Sequence, residues 1–247
     1  MSERSSLCAA LREDCLPVWE ALHDHPFVTE LAAGTLPLEK FRFYLEQNLM
    51  YLPEYARAIA IGAACSRDGE ELRSFATALE NIVRTEIPEN EALLARAIDA
   101  GAEDRGGGAA MAPANLAYTS YLIAAAFRGG PVEVMTAIMP CAWSYGEIAA
   151  ALLPGAADHS VYGPWLEFFA GQEYAELVVR MKDELDALAR QDRVSTGDLS
   201  ETFRAGARLE LGFWEMAYGL EQWPDVAVPT APASNGKPEK QLQEGTQ

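Results

Sequence analysis

The sequence predicts an all-α, single-domain protein, and three observations carry that reading. Apolar residues recur at three- and four-residue steps in one segment after another. Glycine and proline fall mostly between those segments, and no stretch shows the two-residue alternation of a half-buried strand. At 247 residues, 49% of them hydrophobic and 23% charged, the chain can bury a sizeable core and has the composition of a soluble globular protein.

Taken in order, residues 6–24 read as a first helix, and a short helix follows His25-Pro26 as far as Ala33. Gly34-Thr35-Leu36-Pro37 is a stop and a new start, with Thr35 as candidate cap and Pro37 near the first turn. A long helix runs on to Cys65, Ser66-Arg67-Asp68-Gly69 turns the chain, and residues 70–100 form a helix bent at Pro88. Residues 101–113 are a loop containing Gly106-Gly107-Gly108. It follows a helix and lacks a Lys-Ser/Thr pair, so it is not a phosphate cradle. Further helices are expected at 115–127, 132–153, 164–169, 172–191 and 200–222. Residues 1–223 therefore read as one helical domain. From 224 to 247 the chain turns to Pro, Ala, Ser, Gly and Lys, and this stretch reads as a disordered tail.

Charge and cysteine content narrow the function classes. A net charge of −18, with only 19 basic residues, speaks against a nucleic-acid partner, because phosphates need clustered Lys and Arg. No apolar run has the length of a membrane span, and the N-terminus MSERSSLCAALRED lacks the apolar core of a secretory signal. Cys8 and Cys15 read as lying on one helix roughly 10 Å apart, too far for a disulfide. With no CxxC pair, a cytoplasmic protein with free thiols is expected, and Cys8, Cys15 and Cys65 read as small buried hydrophobes.

The fourth cysteine is different. Cys141 follows Pro140 in PVEVMTAIMPCAWSYGEIAAALL, a helical run whose Met135, Ile138, Ala142, Tyr145, Ala149 and Leu152 keep to one broad stripe. A proline inside a helix leaves the Thr136 carbonyl without its usual donor and bends the axis. Cys141 and Tyr145, four residues apart, project from the same side. Other polar groups also occupy apolar stripes. Asn48 lies among Phe41, Tyr44, Tyr51 and Tyr55; alone, a core asparagine bonded to nearby backbone is its commoner meaning. Glu210 lies among Phe203, Ala207, Phe213, Trp214 and Ala217, while Arg204 and Arg208 point from other faces. Burial raises a carboxyl pKa toward the range useful for acid–base work. For Glu210, structural and catalytic roles weigh about evenly. Tyr118 faces inward from a fourth helix. A thiol, a carboxylate, an amide and phenols from four helices suit a pocket for a flat, polar-edged molecule. No metal is expected, because His23, His25 and His159 are badly placed and no Glu-x-x-His pair exists.

These residues resemble the thiaminase II (TenA) family of the haem-oxygenase-like fold, whose members bind no haem. The match runs from about Leu16 to Trp223. It rests on HPFVTELAAGTLPLEKFRFYLEQNLMYLPEYARA, NLAYTSYL, PCAWSY and LELGFWEMAYG, and the first and third together are fairly specific. The resemblance implies hydrolysis of thiamin-derived 4-aminopyrimidines, and thiamin cleavage in some members, without a cofactor and by a homotetramer or homodimer. It places Cys141 at the nucleophile, Glu210 at the acid–base carboxylate, Tyr118 and Tyr145 at pocket tyrosines, and Tyr51 at a stacking position. The chain departs from the family at Asn48, usually an aspartate, and at Phe169, often a tyrosine. The alternative expectation is a non-catalytic or regulatory small-molecule binder on the same scaffold. An oxidase resembling the pyrroloquinoline-quinone synthases is disfavoured by the few histidines and basic residues.

Overall fold

The computed structural model describes residues 6–193 and 195–224; the stretch read as a tail lies outside the described residues beyond Pro224. Every regular element among them is helical. The order is α1 (Leu7–Asp14), α2 (Leu16–His23), α3 (Pro26–Ala32), α4 (Leu38–Ala64), α5 (Gly69–Asn81), a π-turn (Ile82–Glu86) and α6 (Ile87–Asp99). It continues with α7 (Pro113–Arg128), α8 (Pro131–Leu152), a short 3-10 turn (Leu153–Gly155), α9 (Gly163–Phe169), α10 (Gln172–Asp192) and α11 (Thr196–Gly219).

The bundle is organised around α8, which packs against α4, α7, α9, α10 and α11. Every residue from Val134 to Tyr145 is buried. The apolar residues of this helix therefore do not form a single stripe, as the sequence period suggested. A helix apolar on all sides is one surrounded by others. Polar contacts fix its register. Glu147 accepts from Trp19 Nε1 at 2.9 Å and Arg12 at 3.1 Å, tying α1 and α2 to it. Tyr55 of α4 donates its phenolic proton to the Ile138 carbonyl at 3.1 Å, just before the Pro140 bend.

Gly206 sets the approach of α11. A Cβ there would lie 2.9 Å from the Ala137 carbonyl oxygen and 3.0 Å from Pro140 Cγ, so only glycine lets α11 press against the Pro140-Cys141 turn. Glu210, one turn further along α11, is brought to Cys141 by that contact.

Four expectations need correction. The first helix breaks at Cys15, because Pro17 has no N–H to continue the ladder; Cys8 and Cys15 lie on separate elements, and both thiols are free. Pro37, not Thr35, precedes α4, and the Thr35 hydroxyl donates to the Glu30 carbonyl at 3.4 Å. Cys65 is exposed at the C-terminus of α4 instead of buried. The bend attributed to Pro88 is taken up one turn earlier. There the Ile87 N–H reaches back five residues to the Ile82 carbonyl, which opens a π-turn and rotates Glu86 and Asn90 inward.

Candidate active site

Cys141, Glu210, Tyr118, Tyr51 and Tyr145 meet where α4, α7, α8 and α11 cross. The Tyr118 phenol donates to Glu210 Oε2 at 2.9 Å, with both groups buried. The Cys141 thiol and the Tyr145 hydroxyl lie near enough to pull the Glu210 pKa down, but neither makes a well-formed hydrogen bond to its carboxyl. Tyr145 receives a longer bond, 3.5 Å, from the Tyr44 hydroxyl, which itself accepts from Trp165 Nε1 at 3.1 Å. Tyr51 packs its ring 5.0 Å from Tyr118 and 5.5 Å from Phe213. Its hydroxyl is buried beside the thiol but makes no well-formed hydrogen bond.

Electrostatics follow from burial without a cation. Burial drives the Glu210 carboxyl up to about 7, against the downward pull of Tyr118, Cys141 and Tyr145. Burial also holds the Cys141 thiol well above its ordinary value, and the charges of Glu210 and Glu86 add to the effect. The thiol therefore rests protonated, and attack requires a base. Glu210 is the carboxyl within its reach. Arg204, one of the arginines considered as a partner for Glu210, instead holds Asp14 at 2.7 Å.

On its other side the thiol opens on a cavity lined by Leu52, Tyr55, Glu86, Ala142, Tyr174 and Met181, among others. Its free space, about 10 Å³, accommodates one water molecule. Tyr174 also borders a surface groove of about 560 Å³, so this ring stands between the thiol and the exterior. Glu210, Tyr118, Tyr51 and Tyr145 adjoin the thiol but are not among the residues that line this cavity.

Two of the residues singled out from sequence sit further back. Asn48 gives a side-chain N–H to Asn90 Oδ1 at 2.9 Å and does not line the cavity. The neighbouring Gln47 pins the glycine loop, donating to the Gly107 and Ala110 carbonyls at 2.6 and 2.8 Å. Phe169 packs edge-on against Tyr145 at 4.9 Å and against Trp165 at 4.8 Å, behind the site. Sequence reasoning missed Glu86 and Tyr174, and set Tyr55 on the aromatic stripe around Asn48 without placing it at the cavity. Glu86 was legible in principle, because Phe75, Ala78, Ile82, Glu86, Asn90, Leu93 and Ala97 continue one inward stripe. No cluster of three His, Cys, Asp or Glu with metal-holding geometry occurs among the described residues.

The fold is thus a helical bundle that encloses a buried thiol, two carboxyls raised by burial and an aromatic wall. Comparison with known proteins narrows this. The chain belongs to the TENA/THI-4/PQQC family, whose model matches residues 12–220. It is 36% identical over 226 residues to the aminopyrimidine aminohydrolase of Halalkalibacterium halodurans, covering 88% of this chain and 98% of that one. It is 32% identical to the aminopyrimidine aminohydrolase of Helicobacter pylori, covering 84% and 96%. A crystal structure described as a TenA family transcription regulator from a Silicibacter species superposes with a TM-score of 0.77 at 30% identity, over 88% of this chain and 99% of that one. A Shewanella denitrificans domain described as having a heme oxygenase-like fold superposes at 0.66 and 14% identity, over 89% and 94%, which supports the fold alone.

Proposed function

We propose that the chain is an aminopyrimidine aminohydrolase, replacing the amino group of a thiamin-derived 4-aminopyrimidine with oxygen and releasing ammonia. The observation that carries this reading is the buried Cys141–Glu210 pair, with Tyr118 fixing the carboxyl at 2.9 Å. The aminohydrolases at 36% and 32% identity support it.

The amino-bearing carbon of the ring is a poor electrophile until a ring nitrogen gains a proton. Glu210 takes the thiol proton and passes it to that nitrogen as Sγ adds to the carbon. Ammonia leaves, water adds to the same carbon, and the C–S bond breaks to restore the thiol. A carboxyl poised near 7 suits both halves of this transfer.

Tyr118 keeps the carboxyl oriented and partly ionised. Tyr145 lies beside it, backed by Phe169. With free space for one water, the site admits a ring only when side chains part; Tyr174 borders one neighbouring groove, and Ala78, Leu177 and Met181 border another. Tyr51 then supplies an aromatic face beside the thiol. Asn48, with one N–H committed to Asn90, acts on the site through the π-turn that Asn90 braces.

Cytoplasmic localisation and a homotetramer or homodimer belong to the same proposal. Exposed Phe127 (74%) and Val179 (55%) are apolar surface of the kind that subunit contacts cover. No helix among the described residues is long and apolar enough to cross a membrane. A net charge of −18 does not support a DNA-bound regulator.

The test is incubation with 4-amino-5-aminomethyl-2-methylpyrimidine and separately with thiamin, following ammonia and thiazole release. Ammonia from the aminopyrimidine supports the assignment. Saturable binding of both compounds without turnover of either would point instead to a ligand-binding protein on this scaffold.

A further inference from the structure

Four acids are buried among the described residues: Glu46, Glu71, Glu86 and Glu210. Glu46 and Glu71 hold arginines at 2.8 and 2.6 Å, and Glu210 accepts from Tyr118. The Glu86 carboxyl, by contrast, makes no hydrogen bond or ion pair with any described side chain. It is 6% exposed and lines the same cavity as Cys141. A buried carboxyl without a partner is costly, and this one lines a space beside the thiol that a substrate could enter.

The backbone under Glu86 is unusual and braced. The π-turn advances the helix by an extra residue and turns Glu86 toward α8. Asn48 Nδ2 donates to Asn90 Oδ1 at 2.9 Å, and Asn90 Nδ2 donates to the Glu86 carbonyl at 2.9 Å. Asn48 is thus linked by one side chain to the residue that carries the free carboxyl.

We propose that Glu86 is the second carboxyl of the reaction, contacting the aminopyrimidine across its ring-nitrogen and amino edge and moving a proton from one to the other. This rests on the aminohydrolase reading. After Sγ has added, the carbon bears sulfur, the amino group and a ring N–H. One Glu86 oxygen gives its proton to the amino nitrogen, and the C–N bond breaks as ammonia leaves. The ring nitrogen's lone pair re-forms the C=N bond, and the ring N–H proton passes to the other Glu86 oxygen. Glu86 ends as it began, neutral. Asn48 is a positioning residue for it.

The surroundings fit this use. Tyr44 and Tyr55 of α4, Cys141 of α8 and Tyr174 of α10 sense its charge, and it senses the charge of Glu210 of α11. Burial and the Glu210 charge push Glu86 up to about 8, so it holds its proton at neutral pH. Glu210, at about 7, is the readier base. Two carboxyls separated in this order can serve as acid and base in one cycle.

The test compares wild type, Glu86→Gln, Glu86→Leu and Asn48→Asp. It measures ammonia release from 4-amino-5-aminomethyl-2-methylpyrimidine between pH 6 and 9, and calorimetric binding of the same compound. Glutamine offers one donor and one acceptor to the edge but cannot relay a proton. Glu86→Gln should therefore lower kcat by about 10²-fold or more with KM within about threefold, and remove the alkaline limb near pH 8. Glu86→Leu should weaken binding at least about tenfold while melting as a folded protein. Asn48→Asp can only accept, which forces Asn90 to turn over and release the Glu86 carbonyl, so no gain in kcat is expected. A Glu86→Gln enzyme with kcat within about threefold of wild type and an unmoved alkaline limb overturns the proposal. If wild type releases no ammonia, the aminohydrolase reading falls by itself. Binding then decides the contact: equal affinity of wild type and Glu86→Leu, or no binding to either, overturns the Glu86 assignment.

Discussion

The Tyr118 hydroxyl and the Glu210 carboxyl form a buried hydrogen bond of 2.9 Å between α7 and α11, with no cation among the described residues paired to the carboxyl. Burial raises the Glu210 pKa and the phenol lowers it. Removing the phenol leaves burial less opposed, so the carboxyl must rise further. Tyr118→Phe should therefore shift the acid limb of the pH–rate profile to higher pH, because the base form of Glu210 then appears later. The rate at pH 7 should fall about tenfold, the worth of a lost hydrogen bond to a charged group. An acid limb that stays in place would detach Tyr118 from the titration of Glu210.

Stability should carry the same signature. Glu86 and Glu210 titrate at about 8 and about 7 in the folded protein, against an ordinary value of 4.5. A raised folded pKa contributes stability that is complete below the unfolded pKa and is lost as pH rises through the folded one. The fold should thus lose on the order of a few kcal/mol between about pH 4.5 and pH 8 from these two groups. Glu86→Gln should flatten the upper part of that decline. Denaturant melts at pH 5 and pH 8 check it, and a parallel decline in both proteins would remove Glu86 from the account.

Gly206 offers a test from outside the chemistry. Its missing Cβ would lie 2.9 Å from a backbone oxygen, and backbone gives way less easily than a side-chain tip. Gly206→Ala should push α11 off the Pro140-Cys141 turn, costing about 1–3 kcal/mol. Glu210 should be displaced from the thiol with it, so ammonia release should fall more than tenfold even where the protein remains folded. Unchanged activity with unchanged stability would show that α11 tolerates the methyl group.

Much of this site was legible in the sequence, and the gaps have physical causes. The inward faces of α4, α7 and α11 follow the helical period, so Tyr51, Tyr118 and Glu210 could be placed on core stripes before any contact was known. The pairing of Asn48 with Asn90 could not, because it joins two helices across forty-two positions of sequence. Glu86 was hidden by its neighbour Pro88. A proline in a helical run reads as a bend, whereas the chain answered with a π-turn that keeps the stripe going and swings the acid inward. The break at Cys15 had a visible signal in Pro17, but the apolar period passes through it unbroken. The burial of α8 on nearly all sides erased the stripe of Met135, Ile138, Ala142 and Tyr145 that the helical period marks. Their meeting with Glu210 comes from Gly206, whose role depends on what lies opposite it.

The central claim is that the Cys141 sulfur attacks the amino-bearing carbon of a pyrimidine. Ammonia release from 4-amino-5-aminomethyl-2-methylpyrimidine by Cys141→Ala, beside wild type and with ligand binding measured on both, tests it most directly. The account predicts that the variant binds the pyrimidine but releases ammonia at least about 10³-fold more slowly. Turnover undiminished in Cys141→Ala would contradict it.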